Sequence, residues 1–291
     1  MINLYPLSVR AGQWRDPTLT VRGDGVAVLQ RTRRAVILIH GFANSQARAD
    51  ESYVRLAAGL ADNLWLPRPE RLARFFGFHW PGDHRLPVIS QLTYSSRVGA
   101  ATASGHALGR QLANLDPDVE VMLVAHSLGC RVLLAAFEWI VEQADGAGPR
   151  ITAAFLLAAA VPVGECVPPE RFAARHPGVR YVVLHSHRDR ALMLAFRPGQ
   201  FFFDQMAQAV GRYGLPERDR WDQRIPTGLG HSAYWRSPLI AQTVSRALSP
   251  FCWHLLPELP QPLGVIEDAD WPLPDREAPT RHLPSDPSWL D

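Results

Sequence analysis

Val121-Met122-Leu123-Val124-Ala125-His126-Ser127-Leu128-Gly129 is the stretch that decides the fold. An apolar run of strand character passes through small-x-Ser-x-Gly and directly into a segment of helical period. The order has a physical reason. A sharp strand-to-helix turn holds a serine in a strained conformation and leaves its Oγ standing above the sheet. Small residues two before and two after it, here Ala125 and Gly129, let strand and helix approach. The start of the helix contributes free N–H groups and the positive end of its dipole. The flanking context separates this pattern from a serine in an ordinary strand–helix turn.

Working outward, further short apolar runs read as buried strands: Ala35 to Ile39, Phe75 to Phe78, Val119 to Val124, Ile151 to Ala159 and Val179 to Leu184. Continuous apolar runs of this length mark strands covered on both faces, as in a parallel sheet. Helical spacing lies between them, over Tyr53 to Leu64, Arg97 to Leu115 and Leu128 to Ala144. Ser237-Pro238 is a cap and first-turn pair that opens a last helix to Leu248. Strand alternating with helix predicts an α/β fold, a doubly wound and mostly parallel sheet. The last 42 residues, from Pro250 to Asp291, hold nine prolines and no period. Trp253, Trp271 and Trp289 lie among them, so the expectation is a core domain over residues 1–249 and a proline-rich arm, 250–291, packed on it.

Three other stretches carry chemistry. In Ile37-Leu38-Ile39-His40-Gly41-Phe42, Gly41 lets the backbone turn after a buried strand. A following N–H then faces the serine and, with the N–H of Leu128, forms an oxyanion hole. In Tyr181-Val182-Val183-Leu184-His185-Ser186-His187-Arg188-Asp189, an acid just past a late strand is placed to orient a histidine. In Gly228-Leu229-Gly230-His231-Ser232-Ala233-Tyr234-Trp235, a histidine sits in a glycine-rich loop before the last helix. Asp204, Asp219 and Asp222 also lie between Ser127 and His231 and remain alternatives for the acid. Asp189 is preferred because it alone directly follows a convincing buried strand. His254 falls after the last helix and is the poorer base.

Composition removes competing chemistries. The 30 Lys+Arg residues are all arginine. Without a lysine amine there is no Schiff-base or pyridoxal-phosphate chemistry, no Gly-Lys phosphate loop, no kinase and no Ser-Lys dyad. Arginine does not deprotonate in proteins and cannot stand in as a base. A formal charge of +2 leaves no footprint for nucleic acid. Cys130, Cys166 and Cys252 are odd in number and far apart, which suits neither a disulfide framework nor zinc. Cys130, one residue past the elbow, reads as buried packing. His185-x-His187-x-Asp189 is the rival metal pattern, but Arg190 follows it and Arg188 interrupts it, and both disfavour a cation. Phe201-Phe202-Phe203 with Met206 reads as an amphipathic covering helix. No secretory signal opens the chain, and the longest apolar run, Ala153 to Val161, is too short to span a bilayer. A cytoplasmic protein without an integral membrane segment is expected.

With these stretches the sequence resembles the α/β-hydrolase superfamily. It looks most like a group of bacterial serine hydrolases with an Ala-His-Ser-Leu-Gly or Ala-His-Ser-Met-Gly elbow. Trp80-Pro81-Gly82 after a strand, and Tyr94 leading into an alanine-rich helix near Ala100, extend the likeness, which covers about residues 30 to 248. Ala125 departs from the usual first glycine of the elbow. The resemblance implies that Ser127 is the nucleophile, His231 the base and Asp189 the orienting acid, in that chain order, with Phe42 and Leu128 as backbone donors. His40, Trp80 and His126 are placed near the pocket. The function expected is cleavage of a small-molecule carboxylic ester with no cofactor and no metal. Acyl transfer on the same triad and a non-catalytic binding protein on the same fold are the alternatives.

Overall fold

In a computed structural model the five apolar runs form strands β2 (Arg34–Ile39), β3 (Arg74–His79), β4 (Glu120–His126), β5 (Arg150–Leu157) and β6 (Arg180–His185). The structure describes residues 3–12, 15–16, 18–62, 73–83, 91–143, 148–166, 179–193, 208–214 and 223–248. Each of these strands opens on a charged residue at the sheet margin and is buried almost throughout thereafter. Charge thus marks the amino ends, while histidines gather at the carboxyl ends: His79, His126 and His185 close β3, β4 and β6, and His40 follows β2. The apolar middles are covered on both faces, as parallel strands require.

Two more strands, β1 (Leu4–Ser8) and β7 (Gln223–Pro226), complete a seven-stranded sheet in the order β1-β3-β2-β4-β5-β6-β7, with every pair parallel. Neither was expected from the sequence, because neither has an apolar run. Both contain a proline, which withholds a ladder donor and is tolerated at a sheet edge. These two strands are the edges, so the sequence that hides them is the sequence an edge permits.

Helices cover the sheet: α1 (Gly25–Leu29), α2 (Gln46–Asp62), α3 (Gln91–Ala113), α4 (Gly129–Gln143), the short α5 (Val163–Cys166) and α6 (Val210–Tyr213), and α7 (Pro238–Leu248). Helix α2 starts seven residues ahead of its apolar period. Its first turns carry polar residues, and its buried face is Ala49, Tyr53, Leu56, Ala57 and Leu60. Pro238 is the first residue of α7, where its missing N–H has no helical partner to lose. The expected end of the α2 pattern at Leu64, the covering helix near Phe201 and the arm over residues 250–291 lie outside the described residues.

Helix α3 reaches α4 closely because it is built from small residues. A Cβ at Gly105 would stand 2.4 Å from the Val132 carbonyl oxygen and 2.6 Å from Ala135 Cβ, and one at Gly109 would stand 2.8 Å from the Ala136 carbonyl oxygen. The obstacle is backbone, which cannot rotate away. Gly105→Ala therefore sets a helix-propensity gain of up to about 1 kcal/mol against an overpacking cost of about 1–3 kcal/mol. The clash should win. Denaturant unfolding is expected to show a net loss of stability, and a more stable variant would refute the close approach.

Candidate active site

Strands β2 and β4 are neighbours at the point where the strand order turns, and ligand crevices of open α/β sheets lie outside the carboxyl ends there. Ser127 follows β4 with a φ of 54°. A residue with a Cβ holds this left-handed conformation only when its surroundings fix it. They do so here through three main-chain hydrogen bonds. The Ser127 N–H donates to the Leu157 carbonyl at 2.9 Å, and its carbonyl accepts from the N–H groups of Cys130 at 3.0 Å and Ala160 at 3.1 Å. Glycines admit the neighbouring strand end. A Cβ on Gly129 would lie 2.4 Å from the His40 carbonyl oxygen, and one on Gly41 would lie 2.8 Å from Ser127 Cβ. The loop after β2, which carries Phe42, is therefore in contact with the serine. Leu128 immediately precedes α4, so its N–H belongs to the helix start, ahead of the intrahelical ladder.

His231 opens a 3₁₀ turn, His231–Arg236, after the loop Thr227–Gly230. The loop is anchored to the end of β6 where the Thr227 N–H donates to the His185 carbonyl at 2.8 Å. His231 Nε2 lies 2.9 Å from Ser127 Oγ, and Nδ1 lies 2.7 Å from Asp189 Oδ2. An ionised carboxylate only accepts, so Nδ1 donates; in the neutral ring Nε2 then accepts the serine hydroxyl proton. Asp189 is fully buried and its carboxylate is satisfied at both oxygens, because Oδ1 accepts the Leu192 N–H at 2.9 Å. Its carbonyl accepts from Arg212 Nη1 at 2.9 Å. The structure thus brings Ser127, His231 and Asp189 together. Asp204, Asp219, Asp222 and His254 lie outside the described residues.

The His185-x-His187-x-Asp189 pattern does not converge. The Asp189 carboxylate is engaged as described, and the rings of His185 and His187 meet edge-on at 5.9 Å. His185 Nε2 accepts from Arg224 Nε at 3.4 Å. Cys130 is fully buried, and burial pushes its thiol well above the usual range; its Sγ donates to the Ala125 carbonyl at 3.3 Å.

His40 and Trp80, expected near the pocket, are fully buried. Burial, opposed by the Gly41 carbonyl and aided by the Arg10 charge, pushes the His40 imidazole down to about 3. A neutral ring with Nδ1–H donating to the Gly41 carbonyl at 2.8 Å leaves Nε2 to accept from the Trp80 N–H at 3.3 Å. The indole Nε1–H returns a bond of 2.7 Å to the His40 carbonyl, and the two rings stack with centroids 5.6 Å apart. The pair ties the loops after β2 and β3 to each other. His126 is also buried, with Nε2 at 2.8 Å from the His231 carbonyl oxygen.

Arg10 belongs to this framework and was not singled out in the sequence. It donates from Nη2 to the Asn44 carbonyl at 2.7 Å, reaches His40 Nε2 at 3.4 Å, and pairs with Asp83 through Nη1 at 2.9 Å. It ties the segment after edge strand β1 to the loops after β2 and β3. Nothing local marks it, because its partners are remote in sequence. Tyr53 works similarly: its hydroxyl accepts the His40 N–H at 2.8 Å and donates to the Phe78 carbonyl at 2.8 Å.

The chain belongs to the family described as alpha/beta hydrolase of unknown function (DUF900), which it matches over residues 26–200. That span contains Ser127 and Asp189 and ends before His231. Similar solved structures include a hydrolase of the alpha/beta superfamily from Xanthomonas campestris pv. campestris, 17% identical over 74% of this chain and 95% of that chain with a TM-score of 0.32. Polyneuridine aldehyde esterase is 13% identical over 74% of this chain and 98% of its own, with a TM-score of 0.39. The type II thioesterase YbtT from the yersiniabactin NRPS/PKS biosynthetic pathway is 15% identical over 75% and 95%, with a TM-score of 0.38. No curated protein matches the chain. Among the described residues, no helix is long and apolar enough to cross a membrane.

Burial makes a prediction about thiol reactivity. A thiol held neutral and out of solvent does not present the reactive thiolate. Iodoacetamide at near-neutral pH is expected to leave Cys130 unmodified in the native protein and to alkylate it after denaturation, as read by peptide mass spectrometry. Native alkylation of Cys130 would show that the elbow opens and that the packing described beneath it is wrong.

Proposed function

We propose that the protein is a serine hydrolase that cleaves a small carboxylic ester through an acyl-enzyme on Ser127. The observation that carries the reading is the hydrogen-bonded series from Ser127 Oγ to His231 at 2.9 Å and from His231 to Asp189 at 2.7 Å. In the first step Oγ attacks the ester carbonyl as His231 Nε2 takes its proton, and the carbonyl π pair moves to oxygen. Asp189 keeps the proton on Nδ1 and stabilises the imidazolium. The N–H groups of Phe42 and Leu128 are the donors assigned to the oxyanion. The support is the contact between Gly41 and Ser127 and the position of Leu128 at the start of α4. When the carbonyl reforms, the alkoxide leaves with the proton from Nε2. Water, deprotonated by His231, then releases the acid and restores the serine. The sequence uses only side chains and backbone of this chain, so it requires no cofactor.

The test is hydrolysis of a panel of p-nitrophenyl esters by wild type, Ser127→Ala and Asp189→Asn. Wild type is expected to turn over at least one ester, and Ser127→Ala to fall to background. Asp189→Asn should lose about 10³–10⁴-fold in turnover, because an amide in place of the carboxylate favours the wrong histidine tautomer. Full activity of Asp189→Asn would remove Asp189 from the mechanism. A wild type as inert as Ser127→Ala on the whole panel would support a non-catalytic role. Products formed with added alcohol or amine acceptors separate hydrolysis from acyl transfer: free acid alone is expected, and dominant transfer product would reassign the reaction.

A further inference from the structure

His231 is only partly buried, although it must meet two partners at once. It follows a loop that is bonded at its start through Thr227, while a Cβ at Gly228 or at Gly230 would meet nothing within 4 Å, so those two positions are not packed against a neighbour. Gly228 adopts a φ of +66°, a conformation that glycine takes without strain. Its ring is 25% exposed, against a fully buried Asp189. One polar contact reaches the His231 main chain from beneath the site. His126 Nε2 stands 2.8 Å from the His231 carbonyl oxygen, and the two rings lie 4.8 Å apart. A carbonyl only accepts, so Nε2 carries the proton.

We infer that His126 is a positioning residue for His231: by donating Nε2–H to the His231 carbonyl, it sets the height and turn of the imidazole that meets both Ser127 and Asp189. The inference rests on the proposed triad. Three observations favour this role over space filling. First, His126 is 5% exposed and its Nδ1 has no hydrogen-bond partner among the described residues, so this buried polar ring makes a single hydrogen bond, the one to His231. An apolar residue of the same volume would avoid that unpaired nitrogen. Second, the rings of Tyr234 and Trp235, both in the turn that His231 opens, pack 5.9 Å from the His126 ring. The ring braces the turn that its N–H tethers. Third, His126 is the residue before Ser127, so one stretch of main chain fixes both the nucleophile and the anchor of its base. Burial, opposed by the bond to the His231 carbonyl, holds the His126 imidazole down to about 3, and the neutral donor tautomer persists through neutral pH.

The test compares His126→Phe with His126→Gln. Phenylalanine keeps the ring and its packing but has no donor. Glutamine has its Nε2 the same number of bonds from Cβ as the imidazole Nε2 and can donate to the same carbonyl. Two readouts are needed, with thermal unfolding as a check on folding. The first is the rate of labelling by a fluorophosphonate probe. The second is the low-field proton NMR resonance of His231 Nδ1–H bonded to Asp189, identified by its absence in His231→Ala. The Phe variant is expected to lose the resonance and to label about 10²-fold more slowly, the penalty expected when a reacting group is displaced by about 1 Å. The Gln variant is expected to restore the resonance and most of the labelling rate. Wild-type behaviour of a folded Phe variant would overturn the inference. So would a folded Gln variant that behaves like Phe. Should the Phe variant fail to fold, the Gln variant alone decides, by keeping or losing the resonance. A wild type that keeps the resonance but does not label would count against the hydrolase reading, while the NMR comparison would still decide the role of His126.

Discussion

Ser127 sits at a φ of 54° between a parallel strand and the helix that follows it. Such a conformation costs a residue with a Cβ about 1–3 kcal/mol and persists only where the surroundings over-determine it. The surroundings are specific. The backbone of Ser127 is bound to Leu157, Cys130 and Ala160, and the neighbouring strand end is admitted by two glycines, Gly41 and Gly129. Everything else at the site follows from this turn. It lifts Oγ to the carboxyl edge of the sheet, where the loops after β2, β6 and β7 can reach it. It also places His126 directly under the turn that carries His231.

The histidines around this point are divided by solvent. His40 and His126 are buried, and desolvation holds both near 3, so they act as neutral donors and acceptors that tie loops together. His79, which closes β3, is lowered for the same first reason. His231 is a quarter exposed and lies between a hydroxyl and a buried carboxylate. The fold therefore separates buried histidines that serve as structural polar groups from His231, the residue proposed to exchange a proton. In a chain without lysine this division has added weight, because no amine competes for the base role.

The parts of this arrangement that lie in contiguous residues were legible in the sequence. The central strands show as apolar runs, the elbow as strand-small-x-Ser-x-Gly-helix, and Asp189 and His231 as polar residues just past strands or in a glycine loop. The edge strands were not legible. Leu4–Ser8 and Gln223–Pro226 are short, contain proline and owe their strand state to a neighbour. Arg10 was missed for a related reason: its partners Asn44 and Asp83 come from loops that only the folded sheet gathers. His40 and Trp80 were expected at the pocket, and their motifs do lie at the strand ends. Periodicity cannot say that their rings turn inward and stack. The acid shows the same limit. Sequence could prefer Asp189 by its place after β6, but the contact with His231 is tertiary.

If the strained turn makes Ser127 the nucleophile, as proposed, a probe that reacts only with activated serines marks that residue. The full-length protein is treated with a fluorophosphonate, digested and mapped by mass spectrometry. A single adduct on Ser127, absent when the protein is unfolded before treatment, is the predicted result. A native protein that carries the adduct on another residue, or on none while a control serine hydrolase is labelled in the same mixture, would contradict the account.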